Sequence, residues 1–421
     1  MRQSKLFTKT RKEAPADEVS KNAEFLTRAG FIHKEMAGVY SYLPLGLRVL
    51  KKIENIIREE MDKVGGQEVL MSSFQPKENW ERTGRWEAMD DLYKVSDSSD
   101  REVALGPTHE EIVVPILKNF LSSHKDFPSD SPLAVYQIQN KFRIELRAKS
   151  GMLRGREFIM KDMYSFHASK EDFENFFEKM KDVYKSIFKR VGIGHLTYLT
   201  FASGGTFAKY SYEFQTISSV GEDTIYIDEA SGVAINREVF ADEVLTQMNL
   251  TKEKLVEHRS IEVGNIFDLK TKYSKPFDLS FTDSKGEKDF VLMGCYGIGL
   301  SRLIGTVVEV LSDDKGIIWP ESIAPFAVHL LSLGEDEKVR KQAEEVYESL
   351  AKANIEVLFD DRLDISPGEK FADSDLLGIP MRAVVSLRSI KEGGIEIKKR
   401  AEEKGTIVSL ADLLTKLKAR S

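Results

Sequence analysis

Apolar residues at Leu47, Leu50, Ile53, Ile57, Met61 and Val64 recur three or four positions apart, with charged residues between them. That period predicts an amphipathic helix over 45–64. Gly65 and Gly66 end it, and 67–74 reads as a strand. Residues 133–145 (LAVYQIQNKFRIE) and 157–166 (EFIMKDMYSF) read as extended, joined by a polar, glycine-containing loop over 147–156. The pair predicts a hairpin with an unusually long loop, and long loops in compact domains are often functional. A charged amphipathic helix follows over 170–190. From Asp289 the pattern is strand (DFVLMG), glycine turn (CYGIG) and helix (LSRLIGTVVEVL).

Two prolines within 319–325 predict a domain boundary. Beyond it, strands over 326–333, 356–359 and 382–387 alternate with a helix through Val339, Ala343, Val346, Tyr347 and Leu350. That alternation predicts a small α/β domain. No internal repeat and no low-complexity segment interrupts the chain.

Composition narrows the class. The 421 residues are too many for one ordinary domain, and 41% hydrophobic with 31% charged residues excludes global disorder. No apolar run reaches the length of a membrane span. The polar, basic start from Met1 to Pro15 lacks the apolar core of a secretory signal. With Cys295 as the single cysteine, an internal disulfide is impossible and a thiolate zinc site is not expected. The compartment expected is reducing and cytoplasmic. The net charge of -7 argues against indiscriminate nucleic-acid coating but allows a basic patch.

Three clusters could carry chemistry. Between Asn140 and Lys161 stand seven Lys or Arg and two Glu. Arg143 and Glu145, two apart, share a strand face. Arg147, Lys149, Arg154 and Arg156 make either a solvated loop or a polyphosphate clamp, since guanidinium forks match phosphate oxygens in pairs. Gly294, Gly297 and Gly299 permit close backbone approach. Their spacing is neither the dinucleotide fingerprint nor a P-loop, which excludes a nicotinamide-dependent dehydrogenase. Arg302 sits in the first turn of the following helix, where a cation opposes the helix dipole, so a bound anion or π-system gives it a reason to be there. Thr108 and Glu111 could form a capping box, or Thr108 and Glu110 could hold a small cation. The seven histidines show no metal-ligand spacing, and no nucleophile–base grouping stands out.

Taken together, these segments resemble a class II aminoacyl-tRNA synthetase, and most nearly the prolyl-tRNA synthetase family. LGPTHEE (105–111) resembles that family's proline-recognition loop. QIQNKFRIELR with REFIMKDMYSFH (137–167) resembles its motif 2, and MGCYGIGLSR (293–302) its motif 3. EVLFDDR and SPGEKFADSDLLGIP (356–362, 366–380) resemble its anticodon-binding domain. The similarity covers nearly the whole chain.

The resemblance implies an α/β (α+β) fold. A catalytic domain over 1–321 would be built on an antiparallel sheet with flanking helices. An anticodon-binding domain over 322–421 would have a mixed sheet. It implies ATP with Mg²⁺, L-proline and tRNA(Pro) as substrates and partners, a homodimer, and neither zinc nor membrane. Arg143 would bridge the α-phosphate and the proline carboxylate. Glu145 would accept from the adenine amino group, Phe158 and Arg302 would sandwich the ring, and Arg154 would reach the distal phosphates. Thr108 and Glu110 would hold the secondary ammonium, with Met160, Tyr164 and Cys295 walling the ring. Glu213 and Gln215 would face ATP or its magnesium. Arg147 would approach the tRNA acceptor end, and Asp361, Arg362, Glu369, Lys370 and Phe371 are candidates to read the anticodon.

The family pattern is not followed everywhere. Ser72 follows Met71 where the family reads Met-Pro at the end of motif 1, which builds the dimer interface. Tyr212 replaces a common His, and GGTFAKYS is slightly lengthened. Residues 236–264 leave room only for a short helix and links where longer relatives insert an editing domain, so a separate editing factor is a possible partner. The rival readings are a synthetase of the same subclass for another amino acid and a catalytically dead tRNA-binding relative. Arg143, Glu145 and Arg302 oppose the latter.

Overall fold

A computed structural model describes residues 1–13, 20–129, 132–146, 148, 150–205, 207–208 and 210–418. The chain divides into two compact units, one of Met1–Lys34, Ser41–Lys52 and Val307–Ser421, the other of Glu35–Tyr40 and Ile53–Thr306. The N-terminal residues thus cluster with the C-terminal third rather than with the residues that follow them.

Helix α1 (Pro44–Lys63) forms where the apolar period predicts it. Gly65, at a φ of +83°, starts the reversal that ends it, with the Gly65 and Gly66 amides on the carbonyls of Asp62 and Met61. The strand expected over 67–74 is cut to β1 (Gln67–Glu68). After Val69 the backbone is satisfied by side chains instead of a ladder: Gln137 accepts from the Met71 amide at 3.0 Å and Gln139 donates to its carbonyl at 2.6 Å.

The larger unit is organised by one sheet. After helix α2 (Glu110–Lys118) come β2 (Leu133–Phe142) and β3 (Glu157–His167), the predicted hairpin, paired from Phe142↔Glu157 to Leu133↔Phe166. Helix α3 (Lys170–Val191) follows, then β4 (Thr197–Ser203), β5 (Tyr210–Ile217), β6 (Asp223–Asp228), β7 (Val233–Asn236), β8 (Leu255–Lys270) and β9 (Leu292–Gly299). The nine strands lie in the order β5-β4-β7-β6-β8-β9-β3-β2-β1, antiparallel except at β4·β7 and β1·β2. Strand β8 is 16 residues long and pairs with β5 as well as with β6 and β9. One end of the sheet therefore rolls into a closed ring of β8, β5, β4, β7 and β6, leaving no open edge there.

Helix α3 covers one sheet face. Ser169 caps its start by accepting from the Asp172 amide, and Gly192 ends it in the left-handed conformation. Its buried stripe includes Phe173, Phe176, Met180, Tyr184 and Phe188, with the last two rings on Phe214 of β5 at 5.0 and 5.3 Å. Each such ring contributes about 1.5–3 kcal/mol by burial.

Two expectations are corrected here. CYGIG is not a turn: it continues β9, and helix α4 (Leu300–Val310) starts directly after Gly299. Arg143 and Glu145 lie just past the end of β2 rather than on it.

The smaller unit carries a separate five-stranded mixed sheet, β11-β10-β12-β13-β14. Its strands are β10 (Val328–Ser332), β11 (Val357–Asp360), β12 (Met381–Val385), β13 (Ile395–Lys399) and β14 (Thr406–Val408). Helix α5 (Glu337–Lys352) supplies Val339, Ala343, Val346 and Leu350 to its core. Helix α6 (Pro367–Leu377) opens with a capping box between Ser366 and Glu369.

Lys161 on β3 is fully buried under α3, donating to the Tyr184 hydroxyl at 2.8 Å and the Tyr296 carbonyl at 3.0 Å. Burial without a carboxylate contact pulls its ammonium down to about 7. The folded protein then binds fewer protons than the unfolded chain between about pH 7 and about pH 10, so stability rises with pH in that window. Relative to Lys161→Met, the wild type is expected to gain about 1.4 kcal/mol per pH unit there and to show a constant gap below it. Urea unfolding of both proteins from pH 6 to pH 9.5 measures this. A gap independent of pH contradicts it.

Candidate functional site

Alternation along the central strands builds the site. Phe158, Met160, Asp162 and Tyr164 of β3 share one face. Their register partners Gly299, Gly297 and Cys295 on β9 (with Met160, Asp162 and Tyr164) and Lys141, Gln139 and Gln137 on β2 extend it. The opposite face, with Lys161, is the one α3 covers. Where the site face meets β8, the glycines act by closeness. A Cβ on Gly297 would stand 2.8 Å from Asn265 Oδ1, while one on Gly264 would meet the other face, 3.1 Å from Tyr184 of α3.

One end of this face opens into two adjoining cavities of about 110 and 410 Å³, which share Arg143, Glu145, Leu153, Arg154, Glu262 and Arg302. The hairpin loop folds over them: the Arg143 amide donates to the Arg156 carbonyl at 2.9 Å, and Met152 and Leu153 are buried. The Arg143 guanidinium stands 5.2 Å from the Phe158 ring and donates to the Pro107 carbonyl at 3.2 Å. Its Nε is buried with no hydrogen-bond partner among the described residues. Burial, and the nearby Arg302, disfavour its charge, so an anion bound here relieves both. Arg302 is steered by Nε to the Leu153 carbonyl at 2.8 Å and by Nη1 to Glu262 at 3.1 Å. Phe158 and Arg302 line the same cavity. Arg154 is held by Glu145 at 2.6 Å and by Glu222.

The floor behind these arginines is acidic. Gln215 is buried on β5 and donates to Glu213 at 2.9 Å and to Asp223 at 2.8 Å, and its own carbonyl oxygen has no partner among the described residues. Burial first, then Glu262 and Asp223, push the Glu213 carboxyl up to about 8. A nearby cation would restore its ionised form. No group of three metal-ligating side chains occurs among the described residues. Mg²⁺ commonly takes only one or two carboxylates besides phosphates, so this set still fits it.

The other end of the face is buried. Thr108, His109, Glu110, Glu111, Tyr164 and Cys295 are all buried. No capping box forms: α2 begins at Glu110 with His109 as its cap, and the Thr108 hydroxyl donates to Glu110 Oε2 at 2.6 Å. The Cys295 thiol lies 3.4 Å from Glu110 Oε1 and is kept protonated by burial and by that carboxylate. Arg85 is the cation in contact with both glutamates, at 3.0 Å from Glu111 and 3.7 Å from Glu110. It lies 5.0 Å from both the Trp80 and Phe207 rings. Lys141, Arg143 and Lys272 act on Glu110 at longer range.

The structure thus brings together Thr108, Glu110, Tyr164 and Cys295 at one end, and Arg143, Glu145, Arg154, Phe158, Met160 and Arg302 at the other. Glu213 and Gln215 lie on the strand behind. Arg147 lies outside the described residues. Lys149 of the expected clamp also lies outside the described residues, and Lys141 and Lys161, two of the seven basic residues of this stretch, are core residues.

The anticodon candidates are not presented as a set. Lys370 is buried with its ammonium on the Ser332 carbonyl at 2.8 Å, so it braces the fold rather than facing a ligand. Arg362 is tied to Asp360 and Asp373, at 2.7 and 2.8 Å. Asp361 accepts from the Ser4 amide and hydroxyl, Glu369 caps α6, and Phe371 packs under Arg382 at 4.7 Å.

Arg85, Glu111, Asp162, Asp223 and Glu262 were not anticipated. Asp162 had a signal, a charged residue at an inward strand position. Arg85, on a helix of four residues, had none.

Residues 93–311 match the profile of the tRNA synthetase class II core domain (G, H, P, S and T), and 327–420 match that of an anticodon binding domain. A proline–tRNA ligase of Wolbachia sp. subsp. Drosophila simulans is 40% identical over 95% of this chain and 96% of its own length. One from Ehrlichia chaffeensis is 38% identical over 99% and 100%. One from Geobacillus sp. (strain WCH70) is 33% identical over 98% of each, in an alignment of 565 positions that exceeds this chain's own length. A prolyl-tRNA synthetase of Cryptosporidium parvum, solved with L-proline and AMP, shares the fold with a TM-score of 0.76 at 20% identity, over 95% of this chain and 74% of that one.

Proposed function

The chain belongs to the proline–tRNA ligase family of class II aminoacyl-tRNA synthetases, and from that premise we propose how its site works. The enzyme activates L-proline with ATP and transfers the prolyl group to tRNA(Pro). The observation that carries this reading is a buried carboxylate cluster at Thr108 and Glu110, joined to a two-arginine cleft by the Arg143–Pro107 hydrogen bond. An amino acid offers an ammonium to the first and a carboxylate to the second. A secondary ammonium has two N–H groups, which matches the Thr108 and Glu110 oxygens.

The carboxylate is already ionised at neutral pH and needs no general base. Its oxygen attacks the α-phosphorus, the bond to pyrophosphate breaks, and prolyl-adenylate forms. The terminal ribose hydroxyl of tRNA then attacks the prolyl carbonyl, and AMP leaves. Catalysis is positioning plus neutralisation of developing charge. Arg143 lies between the carboxylate and the α-phosphate. Phe158 and Arg302 take the adenine from its two faces. Arg154 would exchange Glu145 for the distal phosphates, which frees Glu145 to accept from the adenine amino group. Glu213, with Gln215, would hold Mg²⁺, which supplies further positive charge at the triphosphate.

In the smaller unit, Asp361, Arg362, Glu369 and Phe371 stay candidates for anticodon contact, supported by half-exposed or exposed positions; Lys370 is withdrawn. The domain division at 321/322, the homodimer, Arg147 at the acceptor end and the cytoplasmic location are carried by the family resemblance. No described helix is long and apolar enough to cross a membrane.

ATP–pyrophosphate exchange with all twenty amino acids tests the reading. Exchange is expected with proline and is expected to fall at least about a hundredfold in Arg143→Ala. Absence of exchange with any amino acid moves the protein to a non-catalytic tRNA binder.

A second expectation concerns fidelity. Residues 237–254 form only a short helix and two turns before β8 begins. A pocket rejects the smaller alanine only through lost contacts, about 1–3 kcal/mol per methylene. Without an inserted hydrolytic domain, this enzyme is expected not to deacylate alanyl-tRNA(Pro), so that clearance falls to a separate factor. Deacylation above background by the purified protein contradicts this.

A further inference from the structure

Beneath the proposed ammonium clamp lies a buried ion pair that the reaction itself does not use. Lys141 Nζ of β2 stands 2.7 Å from Asp162 Oδ1 of β3, and neither side chain is exposed. Replacing such a pair by apolar residues is often neutral or stabilising, so stability alone gives little reason to keep it. Its hydrogen bonds give another. Asp162 Oδ2 accepts from Gln137 Nε2 and from the Tyr164 hydroxyl, each at 2.9 Å. The proton of Tyr164 is thereby committed to Asp162, and its oxygen is left to accept. It accepts from the His109 amide at 2.9 Å and faces the Thr108 hydroxyl at 3.4 Å.

His109 is fixed from the same pair. Lys141 can only donate, so at 3.0 Å it obliges His109 Nδ1 to accept, and the ring proton sits on Nε2, 3.1 Å from the Ser72 carbonyl. Burial first, and then Lys141, pull the His109 ring down to about 4, so it stays neutral at physiological pH. The one proton of Thr108 goes to Glu110 Oε2 at 2.6 Å rather than to the Tyr164 oxygen at 3.4 Å. Both Glu110 oxygens then accept, from Thr108 and from the Cys295 thiol, and keep lone pairs toward the pocket.

We infer that Lys141 and Asp162 are positioning residues. Acting through Tyr164, they keep its proton off Thr108, so that the Thr108 and Glu110 oxygens stand as acceptors for the substrate's N–H groups. The inference rests on the proline-activation reading above. Without the Asp162 carboxylate, the Tyr164 proton can turn to Thr108 and the clamp loses its fixed polarity, while the ATP cleft is untouched.

The experiment is proline-dependent ATP–pyrophosphate exchange by the full-length wild type, Asp162→Asn, Tyr164→Phe and the double variant, with KM measured separately for proline and ATP. Asp162→Asn is expected to raise KM for proline about tenfold, the equivalent of one hydrogen bond to a charged group. KM for ATP should stay within about twofold. Because Asp162 acts through Tyr164, the double variant is expected to be no worse than the worse single one. A proline KM within about twofold of wild type, a parallel rise in both KM values, or multiplicative effects in the double variant each overturn the inference. If Asp162→Asn does not fold, Lys141→Met with Asp162→Leu, which removes both charges, takes its place under the same criteria. Wild-type protein without proline-dependent exchange would instead remove the functional reading beneath it.

Discussion

Two carboxyls and one guanidinium in a buried pocket set the terms for the rest of this molecule. Glu110 and Glu111 begin a helix side by side, and Arg85 reaches both from a neighbouring short helix. Away from water, a carboxylate costs several kcal/mol unless it is paired and hydrogen-bonded. The Thr108 hydroxyl and the Cys295 thiol both donate to Glu110, and its closest cation stands 3.7 Å away, so a ligand cation placed beside it is favoured.

The sheet makes that preference useful. Strand alternation places the buried pocket and the arginine cleft along one face of β3, so an ammonium at Tyr164 and a carboxylate toward Arg143 can belong to one small molecule. Gly297 of β9 lets Asn265 of β8 approach closely beside it. On the cleft side the electrostatics are reversed: burial and Arg302 disfavour the charge of Arg143, while burial and the acids around it hold Glu213 near neutrality. Anion and cation together relieve what each group alone cannot, which is how a nucleotide with its counter-ion is bound.

Much of this was legible in the sequence, for identifiable reasons. Helices α1 and α3 follow from their apolar period, and the β2–β3 hairpin from two extended runs about a polar loop. Arg302 declared itself by standing where a helix dipole disfavours a cation. The misreadings are as physical. CYGIG looks like turn chemistry because glycine is rare inside strands, and only the approach of Asn265 explains its place in β9. Residues 69–73 read as a strand because side-chain amides from β2, invisible in the sequence, satisfy their backbone. Lys370 was a candidate to read the anticodon and Lys141 one of seven basic residues in its stretch, yet both are buried where carbonyl or carboxylate partners from other segments meet them. Arg85 could not be found, since its role depends wholly on tertiary contact with Glu111 and three aromatic rings.

The central claim is that the buried Thr108–Glu110 pair selects a ligand that brings a cationic N–H donor. Calorimetric titration with L-proline and with tetrahydrofuran-2-carboxylate, which keeps the ring and the carboxylate but puts an ether oxygen where the ammonium was, tests it most directly. The account predicts that the ether binds at least about a hundredfold more weakly, because it brings no charge and sets an acceptor against the acceptors of Thr108 and Glu110. Comparable affinity for the two ligands would contradict it.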